Sequence, residues 1–248
     1  MSESDIVVVA DAFEPKYSAL LRAMGSLAAN SYLAGGEDMM LANLKKAKAA
    51  MSNLMAKNHM VAIPRGAKGV LIKKKAKARV PGYMSIDDPD EDQVSKIAAD
   101  FLKKNGNRAD GVSDTTISLA RQTVASGIEA GMTPHKIAGL LRDTVGGTMS
   151  DYRARMIART ETAAAYNFAN LEMATSIEES TGKLNKVWVA ASDERVRESH
   201  AEADGQSVAL DEAFEIGSSS MQHPGDPNGD ADEVINCRCT MIYEPVED

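Results

Sequence analysis

This chain of 248 residues predicts an α+β fold: a mostly helical N-terminal and central body with a small C-terminal α+β module of short strands and one short helix. Three observations carry that expectation. Aromatic residues are only 4% of the chain and methionine occurs 14 times, a mix that suits helices packed through Ala, Leu, Ile and Met better than a β-sandwich. Apolar residues recur at three- and four-residue spacing through most of the chain up to Gly182. Beyond Gly182 the pattern changes to short apolar runs between Gly-, Pro- and Asp-rich turns.

The elements follow in order. Residues 1–62 read as N-terminal helices, with Leu20, Leu21, Met24 and Leu27 on one stripe and Met40, Leu41, Leu44, Met51, Leu54 and Met55 on another. Gly35-Gly36 divides them. Residues 63–89 hold Pro64, Gly66, Gly69, Pro81 and Gly82 around Val70-Leu71-Ile72, which predicts a basic extended loop or hairpin leading to an acidic hinge. Residues 90–180 read as a helical domain. Gln93 to Lys104 forms one helix, a second is capped at Ser113-Asp114, a third starts at Thr133-Pro134 and stops at Gly146-Gly147, and a long fourth is capped at Ser150. Residues 181–248 form the α+β module. Its strands are Lys186 to Val189, Gln206 to Leu210 and Cys237 to Tyr243, its helix is capped at Ser192 or Asp193 and reaches His200, and residues 217–233 are loop.

Composition excludes some classes. No uncharged apolar run approaches the roughly 18–20 residues of a membrane helix. The acidic start Met-Ser-Glu-Ser-Asp does not resemble a secretory leader, and two cysteines one residue apart make no disulfide framework, so synthesis in a reducing cytoplasm is expected. The net charge of −8 conceals an asymmetry. From Met39 to Ile86 there are eleven basic residues and no acid, whereas from Ala191 onward fifteen acids face three basic residues. Lys45, Lys46, Lys48, Arg65, Lys68, Lys73, Lys74, Lys75, Lys77 and Arg79 therefore form a candidate surface for phosphate backbone or an acidic protein.

The rare residue types gather at the C-terminal end. Both cysteines, Cys237 and Cys239, and two of the four histidines, His200 and His223, lie there. In a strand both thiols would share one face, with Cα atoms about 6.5–7 Å apart, which is awkward for a disulfide but compatible with ligating one ion. Zinc, with its tetrahedral Cys and His preference, is the candidate metal, and the bland alternative is a pair of buried apolar thiols. Asp193 and Arg197, four apart, can pair on a helix. His223-Pro224-Gly225-Asp226-Pro227 is a rigid loop, expected more as a surface connection than as a presenter of His223 and Asp226. Polar groups at Arg159, Thr160, Glu161, Asn167 and Asn170 lie close to an apolar helix face, placed to bond across to the C-terminal module or to stay solvated.

Taken in order, Ala158-Arg159-Thr160-Glu161, Asn167, Trp188, Asp193…Arg195-Val196-Arg197…His200, Asp204-Gly205, Phe214, His223-Pro224-Gly225-Asp226-Pro227 and Ile235-Asn236-Cys237-Arg238-Cys239 resemble the phage head morphogenesis family, the minor head proteins typified by the F protein of phage Mu. The resemblance covers about residues 110–243. It implies a structural, non-enzymatic protein of a tailed phage or prophage, present in few copies, acting in head morphogenesis, DNA packaging or ejection. The implied partners are the portal protein, the major capsid or scaffold protein and packaged double-stranded DNA. The implied location is the virion, in the capsid interior near the portal vertex, after assembly from the host cytoplasm. No catalytic residue is implied, although the domain is sometimes fused to toxins. The family-motif positions are Arg159, Thr160, Glu161, Asn167, Trp188, Asp193, Arg197, Asp204, Gly205 and Asn236. Zinc rests on donor chemistry alone.

Two other classes compete. His200-Ala201-Glu202 followed by Cys237-Arg238-Cys239 is similar to a zinc deaminase signature, but one residue separates the cysteines where that signature has two, and Asn236 stands where it has proline. A general nucleic-acid-binding protein with an acidic tail is the third reading.

Overall fold

The computed structural model describes residues 3–73, 83–85, 89–105, 108–147 and 149–246. In order these form α1 (Glu3–Lys68), β1 (Leu71–Lys73), β2 (Tyr83–Ser85), α2 (Glu91–Asn105), α3 (Arg108–Glu129), α4 (Pro134–Gly146), α5 (Met149–Thr181), β3 (Leu184–Val189), α6 (Glu198–Glu202), β4 (Ser207–Ala209), β5 (Phe214–Ile216), β6 (Ser219–Met221), α7 (Ala231–Val234) and β7 (Thr240–Pro245). The fold is mostly helical with a small α+β module toward the C-terminal end, as the sequence predicts. The protein divides into two compact units, each built from separated stretches.

One unit comprises Asp11–Lys57 and Gly106–Ala158 and is all helix. Within it α1 breaks where the glycine pair predicts, with Gly36 at φ 68°. Its core is Phe13, Tyr17, Leu21, Met24, Met40, Leu44, Met51, Val124, Ile137 and Leu141. Helix α3 ends in a Schellman motif: Gly131 takes φ 64°, its N–H reaches the Ile128 carbonyl at 2.9 Å, and the Met132 N–H reaches Gly127 at 2.9 Å. Thr133 and Pro134 then start α4. Helix α3 begins at Arg108, upstream of the Ser113 cap the sequence predicts; Ser113 is buried inside the helix. Likewise Ser150 lies within α5.

The other unit comprises Met1–Ala10, Asn58–Asn105 and Arg159–Asp248. Its five-stranded sheet has the order β2-β1-β7-β3-β4; β1 pairs with β7 in parallel and every other pairing is antiparallel. Strands β5 and β6 make a separate hairpin. Leu184, Lys186 and Trp188 share one face of β3 and are all buried. Trp188 packs edge-on against Phe214 at 5.3 Å. Helix α2 is opened by a capping box in which Asp90 Oδ1 accepts from the Gln93 N–H at 2.7 Å and Gln93 Oε1 accepts from the Asp90 N–H at 3.1 Å.

Four further expectations are corrected here. Helix α1 continues through Pro64 to Lys68, where an extended segment is expected from Ile63. Burial of Ala62, Ile63, Ala67 and Val70 offsets the proline's lost hydrogen bond. The helix expected from Ser192 or Asp193 is a turn there, and α6 starts at Glu198, because Asp193 is engaged elsewhere. The C-terminal strand begins at Thr240, leaving Cys237 and Cys239 outside it. Within 217–233, expected as loop, lie β6 and the start of α7. Lys74, Lys75, Lys77 and Arg79 fall outside the described residues.

Gly66 marks the closest helix crossing in this unit: a Cβ there would stand 2.1 Å from the Tyr166 carbonyl oxygen. Gly66→Ala is therefore expected to destabilise by about 1–3 kcal/mol, the usual cost of overpacking. Gly139→Ala, mid-helix with nothing within 4 Å, should gain about 0.5–1 kcal/mol. Denaturant midpoints moving in opposite directions would bear this out; a neutral Gly66→Ala would refute the crossing.

Candidate metal centre

The cysteine pair is placed by a tight local path. Helix α7 stops at Val234, and Asn236 takes φ 61°, a left-handed conformation that asparagine enters more readily than most side chains. Its N–H donates to Thr160 Oγ1 on α5 at 2.9 Å, and the Cys237 N–H turns back to the Val234 carbonyl at 3.3 Å. Cys237 and Cys239 emerge free and buried. Helix α6 supplies His200, which is 1% exposed.

His200 Nδ1 lies 3.3 Å from Cys239 Sγ and 3.8 Å from Cys237 Sγ, and the three donor atoms all fall within 4.8 Å of one another. Zinc with Zn–S of about 2.3 Å and Zn–N of about 2.0 Å separates tetrahedral donors by about 3.5–3.8 Å. The cluster can therefore hold one ion. Behind the ring, Glu233 Oε2 stands 2.9 Å from Nε2, at an angle that closes no hydrogen bond, and it accepts from Ser199 Oγ at 2.8 Å. A carboxylate in that position favours the tautomer that leaves Nδ1 free for a metal. A hydrogen bond from the Cys237 thiol lowers Cys239 to a pKa of about 5. The same contact and burial push Cys237 well above its usual value. One sulfur is thus readily a thiolate, the form that ligates metals.

His223 is not in the cluster. It is buried, its Nδ1 lies 3.1 Å from the Pro224 carbonyl oxygen, and its ring packs edge-on against Phe168 at 5.9 Å. The loop expected at the surface is buried from His223 to Asp226. Asp226 closes it by accepting the Gln222 N–H at 2.7 Å and the Asn228 N–H at 2.9 Å.

The family-motif positions mostly act as ties. Asn167 Nδ2 donates to the Pro224 and Cys239 carbonyls, each at 3.1 Å. Glu161 lies 2.9 Å from His59 in a buried pair. Asp204 Oδ1 accepts the Ala190 N–H at 2.9 Å, and Gly205, at φ 81°, donates to the Trp188 carbonyl at 2.9 Å. Asp193 pairs with Arg238, not with Arg197, through two bonds of 2.5 and 2.6 Å. Arg197 donates instead to the Ile235 carbonyl.

A cavity of about 150 Å³ opens beside the three donors. Arg159, Arg195, Arg197 and Arg238 line it with Asn236, and no carboxylate is among its lining residues. Glu202, which a deaminase would need at the metal, is exposed and does not line it.

Sequence reasoning missed Glu233, Ser199 and Lys186. Lys186 had a signal: it alternates with Leu184 and Trp188 on the buried face of β3. Its Nζ donates to the Leu210 and Gln222 carbonyls at 3.0 and 2.9 Å, and burial pushes its pKa down to about 8. Of the basic candidates, Lys45, Lys46, Arg65 and Lys68 are exposed and Lys48 pairs with Asp110 at 2.7 Å.

Residues 120–242 match the family described as Phage Mu protein F like protein. This region belongs to that family. The sequence is 32% identical over 130 residues to the Minor head protein GP7 of Bacillus phage SPP1, spanning 51% of this chain and 40% of that protein. It is 30% identical over 158 residues to the uncharacterized protein YqbB of Bacillus subtilis, 62% of this chain and 46% of that one. It is also 35% identical over 96 residues to the NAD(+)--arginine ADP-ribosyltransferase EFV of Enterococcus faecalis, 38% of this chain but only 20% of that protein. The matched stretches thus span less than half the length of these relatives. No solved structure matches.

Hydrogen bonds from Arg238 and Arg195 hold the Asp193 carboxyl well below the usual carboxylate range. Its folded pKa lies below its unfolded value of about 3.9, so its contribution is present above pH 4 and lost as pH falls. Asp193→Asn is expected to be less stable than the parent at pH 7, with the difference shrinking by pH 3. A gap in urea midpoint that stays constant between those two pH values would contradict this.

Proposed function

We propose that this protein is a structural minor head protein of a tailed phage or prophage, housed in the capsid interior at the portal vertex. One observation carries the reading: residues 120–242 match the Phage Mu protein F like family, and the same sequence aligns with the minor head protein of phage SPP1 over 130 residues. The match to a family of minor head proteins supports a non-enzymatic role. The portal protein is the proposed principal partner, with the major capsid or scaffold protein and packaged DNA as further partners. Basic side chains along the sequence from Lys45 to Arg79 are the proposed contacts to DNA or the portal wall.

On this reading the His200–Cys237–Cys239 cluster holds zinc as a pin rather than as a catalyst. It joins α6 to the segment before β7, two places with little regular structure of their own. Metal affinity then adds directly to the folding of this module.

Three outcomes test these points. Purified particles should contain the protein in a few copies, retained by portal-bearing and lost from portal-less particles; a protein never found in particles would overturn the role. Duplex DNA binding should weaken with salt, and replacing Lys73, Lys74, Lys75, Lys77 and Arg79 with alanine should flatten the log–log slope by about 0.9 for each phosphate no longer neutralised. An unchanged slope would remove DNA from the reading. Protein purified without added metal should carry about one zinc per molecule, and Cys237→Ser or Cys239→Ser should abolish it with a lower unfolding midpoint. Zinc-free protein that also binds none on addition would remove the pin.

A further inference from the structure

The cavity beside the cluster has an unusual inventory. Four guanidinium groups line it, and three of them are engaged: Arg195 and Arg238 on Asp193, and Arg197 on the Ile235 carbonyl. Arg159 is different. Its Nε is buried and has no hydrogen-bond partner among the described residues. Asn236 Oδ1, on the same cavity, is also buried and without a partner among them. Buried polar atoms are rarely left unpaired, because each costs about 1–3 kcal/mol, so these two mark where a molecule entering the cavity would bond.

The metal cluster supplies the third term. Among the described residues it offers three donors, His200, Cys237 and Cys239, and they border the cavity. Structural zinc takes four protein ligands, whereas three ligands leave a position for an outside group. We propose that the cavity is a binding site for a peptide-borne carboxylate, whose oxygens meet the Arg159 guanidinium and the remaining metal position while an adjacent amide N–H meets Asn236 Oδ1. This rests on the zinc reading of the cluster.

Charge and hydrogen bonding select the ligand class. Asp193 answers only one of the charges on Arg195 and Arg238, and Arg197 meets a neutral carbonyl, so the lining is net positive and takes an anion. Guanidinium pairs with carboxylate through its planar fork, and carboxylate oxygen is an ordinary zinc donor. A carboxylate beside an amide supplies both an anion for Arg159 and an N–H for Asn236 Oδ1, as an acidic side chain or the C-terminus of a polypeptide does. Inorganic phosphate meets the same guanidinium and metal position and is the competitor it must outbind.

Cobalt-loaded full-length protein tests this, since the d–d bands of Co(II) report its coordination directly. N-acetylaspartyl amide stands for an acidic side chain and N-acetylglycine for a C-terminus, with acetate and inorganic phosphate as comparisons. We expect one of the two amide-bearing probes to shift the bands at concentrations at least tenfold below acetate, and whichever is tighter names the source. Arg159→Met should weaken that probe at least tenfold while cobalt still binds, and Arg159→Lys should recover part of it. Bands indifferent to every probe, or phosphate binding more tightly than both amide-bearing probes, would overturn the carboxylate site and leave the zinc pin standing. Failure to bind cobalt or zinc at all would sink the pin and this site together.

Discussion

Five polar side chains on one stretch of α5 hold the C-terminal unit together. Thr160 accepts from the Asn236 N–H, Glu161 meets His59, Thr162 donates to Asn58, Asn167 donates to two carbonyls of the module, and Asn170 bridges Gly66 and Tyr243. Around them run Ala163, Ala164, Ala165 and Ala169, all fully buried. Small residues let backbone come close enough for short side chains to reach it. Gly66 and Gly225 make the same accommodation from the other side, the first against Tyr166 and the second against Ala164. A larger apolar residue at any of these alanines would separate the helix from the carbonyls and N–H groups it now satisfies. Such a network gives little net energy when complete and costs much when broken, so it specifies one arrangement more than it strengthens it.

That spine explains why the metal cluster forms where it does. The path from α7 to β7 is fixed at two points, by Thr160 on the Asn236 N–H and by Asn167 on the Cys239 carbonyl. Between those ties the backbone has little choice, and Cys237 and Cys239 are brought to His200 without a strand to align them. Period-two reasoning reaches convergent thiols by a different geometry from the one observed. Asn236 in the left-handed region does the work expected of the pleat.

How much can be read from the sequence follows from the range of each interaction. Gly35-Gly36, Thr133-Pro134 and the change at Gly182 are local signals, and the structure follows them because backbone preference acts within a few residues. Pro64 is a local signal too, yet α1 passes through it, since burial of Ile63 and Ala67 outweighs one lost bond. Asp193 with Arg238 and His59 with Glu161 are separated by 45 and 102 positions, and neither spacing leaves a periodic trace. His223 resembles Cys237 and Cys239 in being rare and nearby, but rarity does not give direction, and its ring turns to Phe168 instead.

The acidity of the C-terminal module takes on a different meaning at this scale. Summed along the sequence it predicts a region that repels anions. Singly, several of its acids are closures: Asp193 accepts the Arg195 N–H, Asp204 the Ala190 N–H, Asp226 the Gln222 and Asn228 N–H groups, and Asp230 two serine hydroxyls. Strands of three residues and helices of four or five cannot hold themselves, so these carboxylates do for short elements what ladder bonds do for long ones. Hydrogen bonding leaves each carboxylate its charge, but none of them lines the cavity. Four arginines do, and an acidic module carries a locally positive site.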